Sequence, residues 1–182
     1  LPCDDFSLRE HFPSYNINYN NGDGWGGTCI LTHKSLTKKF YDITPIFLGD
    51  DSAGRVQALR FDPKDPPNNK RHDTPFNILN WHFEGDKIAQ MESLLKINGK
   101  IRTIGGGDCN FVFNPDEAPN DTSNLVLNGA LKEAWDRIVS HFDFTEITQP
   151  THTHYFIPKN LDPELVRSSK IDKIFVSYDR AD

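Results

Sequence analysis

The stretch Ile101 to Phe113, IRTIGGGDCNFVF, constrains the fold more than any other part of the chain. A short apolar run leads into three consecutive glycines, Gly105 to Gly107. Asp108 and Asn110 follow one residue apart, and a second apolar run closes the segment. Apolar runs of this length bounded by glycine read as strands. A strand that feeds a Gly-rich turn exposes backbone and short polar side chains at the end of a sheet. On extended chain the two polar side chains of a D-x-N pair point the same way, because the strand period is two. One is an anionic oxygen, fit for a base or a metal ligand. The other is a neutral amide that can hold a phosphate oxygen or an attacking water. By spacing alone, Asp, Asn and Gly are equally the ordinary residues of a turn.

A length of 182 residues suits a single domain, residues 1–182, with a sizeable core. Aromatic residues make up 12% of it, including 13 Phe, which excludes a disordered composition. No apolar run approaches the length of a membrane span. LPCDDFSL at the N-terminus is neither a signal peptide nor a basic presequence, and a start at Leu1 rather than Met suggests a processed or truncated chain. The formal charge of −6 argues against a uniformly basic nucleic-acid-binding surface but leaves room for a local groove. Lys34 to Lys39 and Asn68 to His72 are the basic clusters, and both read as solvated loops. Cys3, Cys29 and Cys109 are far apart and form neither a zinc pair nor a disulfide framework, which suits reduced thiols in an intracellular compartment. Asn120-Asp121-Thr122 matches a glycosylation sequon by chance.

Along the chain, Ser7 and Glu10 have capping-box spacing, and a short helix should end before Pro13. Strands are expected at 16–19, 28–32, 40–48, 55–61, 76–83, 142–147 and 171–177, besides the one that enters the glycines. Pro45 points to an edge or bulge in the third of these. Ile88, Met91, Leu94 and Leu95 share one face of a helix over 86–96. Leu131, Ala134, Trp135 and Ile138 do the same over 130–139. Residues 62–74, 114–124 and 149–155 read as polar loops, and 161–169 as one helical turn at most. Hairpin-like strands with helices crossing outside them suggest a layered α/β sandwich rather than a doubly wound sheet. Trp25, Trp81 and Trp135 read as packing residues.

Polar residues gather at strand ends and in loops: Asn80 with His82, Asp108 with Asn110, Thr151 to His154, and Asp172. In this order they resemble the exonuclease–endonuclease–phosphatase superfamily, nearest to the apurinic-type endonuclease domains of non-LTR retroelements. GGDCN resembles that family's GDFN motif, with Cys109 in place of Phe. SKIDKIFVS, Ser169 to Ser177, is similar to its S-R-I-D-x-I-x-x-S strand, with Lys170 in place of Arg. PTHTHY, Pro150 to Tyr155, resembles its Thr-bearing loop. GGTCILTHKSL, Gly26 to Leu36, is similar to its G-G-V-A-I-L-x-H-K-x-L segment, and Gly54-Arg55-Val56 also fits.

The resemblance implies a four-layer α/β/β/α sandwich, deoxyribonuclease I-like, and a phosphodiesterase that uses a divalent metal, usually Mg²⁺. Asp108 would activate water and touch the metal, and Asn110 would orient that water or the phosphate. His82 would face the scissile phosphate, and Asp172 would orient a catalytic His. Asn80, Thr151 and His154 would contact substrate, either DNA or another phosphodiester. The family's metal-binding Glu, in a Q-E-T strand, would precede Leu1, and its terminal S-D-H histidine would follow Asp182. The resemblance therefore implies a fold incomplete at both termini and inactive as these 182 residues stand. A retroelement-type enzyme would work in the nucleus. The alternative is a degenerate, non-catalytic domain of the same fold, held by protein partners as a structural or binding subunit. A phosphatase acting on lipid or nucleotide would share the same site. His152 and His154 have strand spacing for a metal pair, though plain loop chemistry explains them equally well.

Overall fold

Alternation of buried and exposed residues sets the architecture. β5 (Phe76–His82), β6 (Arg102–Asp108) and β10 (Asp172–Ser177) turn every second residue inward toward one pair of helices, whereas β4 (Val56–Pro63) is buried on both faces, with Val56 and Ala58 on the helix side and Leu59 and Phe61 on the other. The computed structural model describes residues 5–22, 27–64, 74–118, 126–156 and 167–177. Before β4 come α1 (Asp5–His11), β1 (Tyr15–Asn21), β2 (Gly27–His33), α2 (Lys34–Lys39) and β3 (Tyr41–Ile46). Between β5 and β6 lies α3 (Lys87–Leu94). Between β6 and β10 lie α4 (Gly129–Phe142), β7 (Phe144–Glu146), β8 (His154–Phe156) and β9 (Arg167–Ser169).

The principal sheet has the order β3-β4-β5-β6-β10-β7. Its neighbours run antiparallel except β5 and β6, which are parallel and joined through α3, as a parallel pair requires. β1–β2 and β8–β9 are separate antiparallel pairs. β3 is the edge strand that Pro45 anticipates.

α3 starts because the Asp86 carboxylate accepts the Ala89 N–H, and it buries Met91 and Leu94. α4 buries Ala134, Trp135, Ile138 and Phe142 and ends at Asp143, which is left-handed (φ 56°). Arg137 of α4 pairs with Glu92 of α3 at 2.8 Å. Between these helices and the sheet lies an aromatic core. Trp81 stacks on Phe83 (centroids 5.6 Å apart, planes 7° apart), and Trp135 meets Trp81, Phe111 and Phe175 edgewise or tilted. Each of these rings contributes about 2–3 kcal/mol by burial. Trp81 and Trp135 are thus core residues, as expected.

The opposite face of the sheet is covered unevenly. Ile30 of the β1–β2 pair packs with Leu59 and Phe61, over β4 and β5. On β6 and β10 the same face leaves Ile104 and Ile174 36% and 43% exposed.

Three expectations change. Gly105 to Gly107 are not a turn but the interior of β6. A Cβ on Gly105 would lie 2.6 Å from the Trp81 ring, and one on Gly107 (φ 145°) would lie 1.9 Å from the Trp81 carbonyl oxygen. These glycines make room for a tryptophan, which a one-dimensional reading takes for turn chemistry. Lys34 to Lys39 is a short helix rather than a loop, because the His33 ring accepts the Ser35 N–H as its cap. Of the segment 161–169, read as one helical turn at most, Arg167–Ser169 is a strand paired with β8 and 161–166 lie outside the described residues, and β8 itself overlaps the segment read as a loop. The side chain of Ser7, residues 68–72, the sequon, Trp25 and Cys3 lie outside the described residues.

Candidate active site

Strand register assembles the site. Asp108, the last residue of β6, lies opposite His82 on the parallel side and opposite Asp172 on the antiparallel side. The three residues form a row across β5, β6 and β10, on the face turned away from α3 and α4. His82 Nε2 lies 4.0 Å from Asp108 Oδ2, and their side chains are 41% and 28% exposed, within reach of a solute.

Asn110 is brought to this row by a mechanism other than strand alternation. The chain leaves β6 at Asp108, and Asn110 is left-handed (φ 50°), one of the residue types that tolerate that region. Asp108 Oδ1 accepts the Asn110 N–H at 2.7 Å, closing a turn on the carboxylate itself. Asn110 Nδ2 donates to the Phe83 carbonyl at 2.9 Å, and the Phe83 N–H donates to the Asp108 carbonyl at 2.9 Å. The loops after β5 and β6 are thereby fastened together. The two side chains of the D-x-N pair are related by this turn and not by a shared strand face.

Asp172 donates its backbone N–H to Thr153 Oγ1 at 3.1 Å. Thr153, rather than Thr151, is therefore the loop hydroxyl that meets the row. Exposed His154 pairs in β8 with Ser169, and His152 Nδ1 lies 2.5 Å from Ser168 Oγ. Asn80 points to the same face as His82 and gives its Nδ2 to the Cys29 carbonyl at 3.1 Å, tying β5 to β2. Among the described residues no group of three or more His, Cys, Asp or Glu is placed to hold a metal ion.

Two charged residues beside the row were not singled out from the sequence. Arg55 Nη1 lies 2.5 Å from Glu84 Oε2 and 3.5 Å from His82 Nδ1. Val56 lies opposite Trp81 in the ladder, so Arg55 falls beside His82 once the register is known. Only the triplet Gly54-Arg55-Val56 marks it in one dimension.

Cys109, within the motif, is fully buried. Burial pushes its thiol well above the usual cysteine range, against the charge of Lys173, which lowers it. It is a packing residue and not a nucleophile.

No protein-family model and no curated protein matches the sequence. Solved structures do. An endonuclease/exonuclease/phosphatase family protein from Bacteroides thetaiotaomicron aligns over 94% of this chain and 64% of its own, with a TM-score of 0.52 and 18% identity. An AP endonuclease from Archaeoglobus fulgidus aligns over 92% of this chain and 68% of its own, with a TM-score of 0.56 and 13% identity. The chain has the endonuclease/exonuclease/phosphatase fold. It spans about two thirds of the length of these two proteins. Within that fold, the row of His82, Asp108 and Asp172 stands at the ends of adjacent strands of the sheet, where loops from several elements converge. Among the described residues, no helix is long and apolar enough to cross a membrane.

Proposed function

We propose that this domain belongs to the endonuclease/exonuclease/phosphatase superfamily and that Asp108, with His82, Asn110 and Asp172, serves a phosphodiesterase site, with DNA as its preferred substrate class. The observation that carries the reading is the row His82–Asp108–Asp172, with Asn110 folded back onto Asp108. A phosphodiester hydrolase needs a base for water, donors for the phosphate oxygens and a rigid frame that aims them. Asp108 Oδ2 is the base. Its partner oxygen is fixed by the Asn110 N–H, so the carboxylate cannot swing. Asn110, anchored through one N–H to the Phe83 carbonyl, presents its second N–H and its Oδ1 to phosphate or water. His82 Nε2 stands 4.0 Å from Asp108 Oδ2, close enough for one oxygen lying beside the pair to meet both. Asp172 stands on the other side of Asp108, braced through its backbone by Thr153.

The fold family implies Mg²⁺. Such an ion often binds through one or two carboxylates and keeps most of its waters, and Asp108 fits as one such contact. The described residues do not form a cage by themselves. When bound, the ion would supply charge neutralisation on the phosphate.

Nicking of a supercoiled plasmid by the full-length protein tests the reading, with Mg²⁺ or EDTA. Nicking that requires Mg²⁺ and falls by more than about 100-fold in Asp108→Ala supports it. Nicking that survives Asp108→Ala overturns it. Release of phosphate from a nucleotide or lipid monoester, with plasmid untouched, would move the assignment to a phosphatase.

A second reading, a non-catalytic subunit held by a protein partner, draws on the exposed Ile104 and Ile174 of the sheet face. It predicts a blank nicking assay together with a partner whose capture is lost in Ile174→Glu.

A further inference from the structure

We infer that Arg55 is a positioning residue that fixes the neutral His82 ring in the tautomer carrying its proton on Nε2. Two contacts at opposite ends of the ring select the same tautomer. A guanidinium has donors and no acceptor, so in the 3.5 Å contact Arg55 Nη1 donates and His82 Nδ1 accepts. At the other end, Nε2 faces the Asp108 carboxylate at 4.0 Å, where an N–H is favoured and a lone pair is repelled. The opposite tautomer would set N–H against N–H at Arg55 and lone pair against carboxylate at Asp108.

Arg55 is held in turn by elements of the core. Gln90, buried on α3, accepts the Glu84 N–H at 3.1 Å and donates to the Glu84 carbonyl at 2.5 Å. Glu84 Oε2 holds Arg55 Nη1 at 2.5 Å, and the Arg55 carbonyl accepts the His82 N–H at 2.8 Å. The orientation of the ring thus traces back to a helix and two strands rather than to a loose surface pair. Such outer contacts are what give a reacting group a defined tautomer.

The consequence is a donor and an acceptor facing one gap. His82 Nε2–H suits a phosphate oxygen, and Asp108 Oδ2 suits a proton of water. With the proton on Nδ1, two acceptors would face the gap and a phosphate oxygen would be repelled. Assigning the donor to a phosphate rests on the function proposed above, whereas the tautomer does not.

Nitrogen-15 spectra of the full-length histidine-labelled protein, followed across pH until the ring signals of the neutral form no longer change, test the inference. Wild type should show a protonated Nε2 and an Nδ1 shifted by hydrogen bonding. In Arg55→Ala the Nδ1 signal should move to that of a free ring, with the second tautomer appearing, and Arg55→Lys should restore it in part. A protonated Nδ1 in wild type, or a spectrum indifferent to Arg55→Ala, overturns the inference. On plasmid, Arg55→Ala should lower kcat/KM about tenfold. It should have no further effect in the His82→Ala background, because Arg55 acts through the ring. An equal loss in that background means that Arg55 meets the substrate itself, and overturns the positioning role. Absence of all hydrolysis overturns the function proposed above and leaves the spectra to decide the tautomer.

Discussion

The three glycines of β6 should respond unequally to alanine, and the order distinguishes a strand built around Trp81 from a turn. Gly107 is the most demanding. Its φ of 145° lies where L residues are strained, and a Cβ would sit 1.9 Å from the Trp81 carbonyl oxygen. That oxygen is backbone in the adjacent strand, so relief requires β5 and β6 to separate by about 1 Å or more. Strain of about 1–3 kcal/mol adds to an overpacking cost of similar size, giving roughly 2–6 kcal/mol for Gly107→Ala. At Gly105 the clash is with the Trp81 ring at 2.6 Å. The ring is wedged among Phe83, Trp135 and Phe175 and can yield only slightly, so about 1–3 kcal/mol is expected. At Gly106 the nearest neighbour is the Lys173 carbonyl at 3.0 Å, the φ is not in the left-handed region, and the residue faces away from the core. Gly106→Ala should cost less than about 1 kcal/mol. Urea unfolding of the three variants, followed by tryptophan fluorescence, measures the series. If Gly107→Ala proves no worse than Gly106→Ala, the close approach of β5 and β6 is wrong, and with it the spacing of His82 and Asp108.

Lys173, 1% exposed, pairs with Glu117 and Glu146 and lies 4.7 Å from the Phe113 ring centroid, so Lys173→Met should cost about 3–5 kcal/mol in chemical denaturation. Adding Glu117→Gln and Glu146→Gln should recover part of that loss, because the uncompensated charges go with them. For Cys109 the folded thiol keeps its proton above the ordinary value of 9.0, where the unfolded thiol gives its proton up. Its contribution is complete below that pH and falls above it by up to about 1.4 kcal/mol per pH unit, so Cys109→Ala should flatten the alkaline decline of urea midpoints. At Asn110, Gly keeps the left-handed backbone and loses only the bond to Phe83, whereas Val also strains the turn. Thermal melts should place Asn110→Val about 1–2 kcal/mol below Asn110→Gly.

Much of the fold is legible in the sequence because its signals are local. α3 and α4 follow from apolar residues at helical spacing, and β2, β4, β5 and β10 from alternation or apolar runs. Pro45 marks an edge because a residue without an N–H cannot sit in the middle of a ladder. The glycine run is misread for the opposite reason. Its cause is the Trp81 ring and carbonyl, 24 or more residues earlier, and no local pattern records that neighbour. The same division applies to the site. Asp108, Asn110, His82 and Asp172 stand out by type and motif, and the ladder brings His82, Asp108 and Asp172 into one row. Arg55, Glu84 and Thr153 do not stand out, because what selects them is register across strands and loops rather than their neighbours in sequence.

Register is also what the buried Lys173 secures. β10 carries site and core on alternate residues: Asp172, Ile174 and Val176 on one face, and Lys173, Phe175 and Ser177 on the other. A slip of one residue would exchange the faces, moving Asp172 into the aromatic core and Lys173 out of it. An apolar residue at 173 would oppose that slip weakly, since Ile174 is apolar too and could replace it. A lysine held by two carboxylates opposes it strongly, because its ammonium finds Glu117 and Glu146 only in the native register. The Ser177 hydroxyl adds a second check by accepting the Thr103 N–H at 2.6 Å. Replacing all three members of such a buried ion cluster by apolar residues of equal volume is often neutral or stabilising, so the cluster is a weak source of stability. Its effect here is to keep Asp172 opposite Asp108, the geometry on which the proposed chemistry depends.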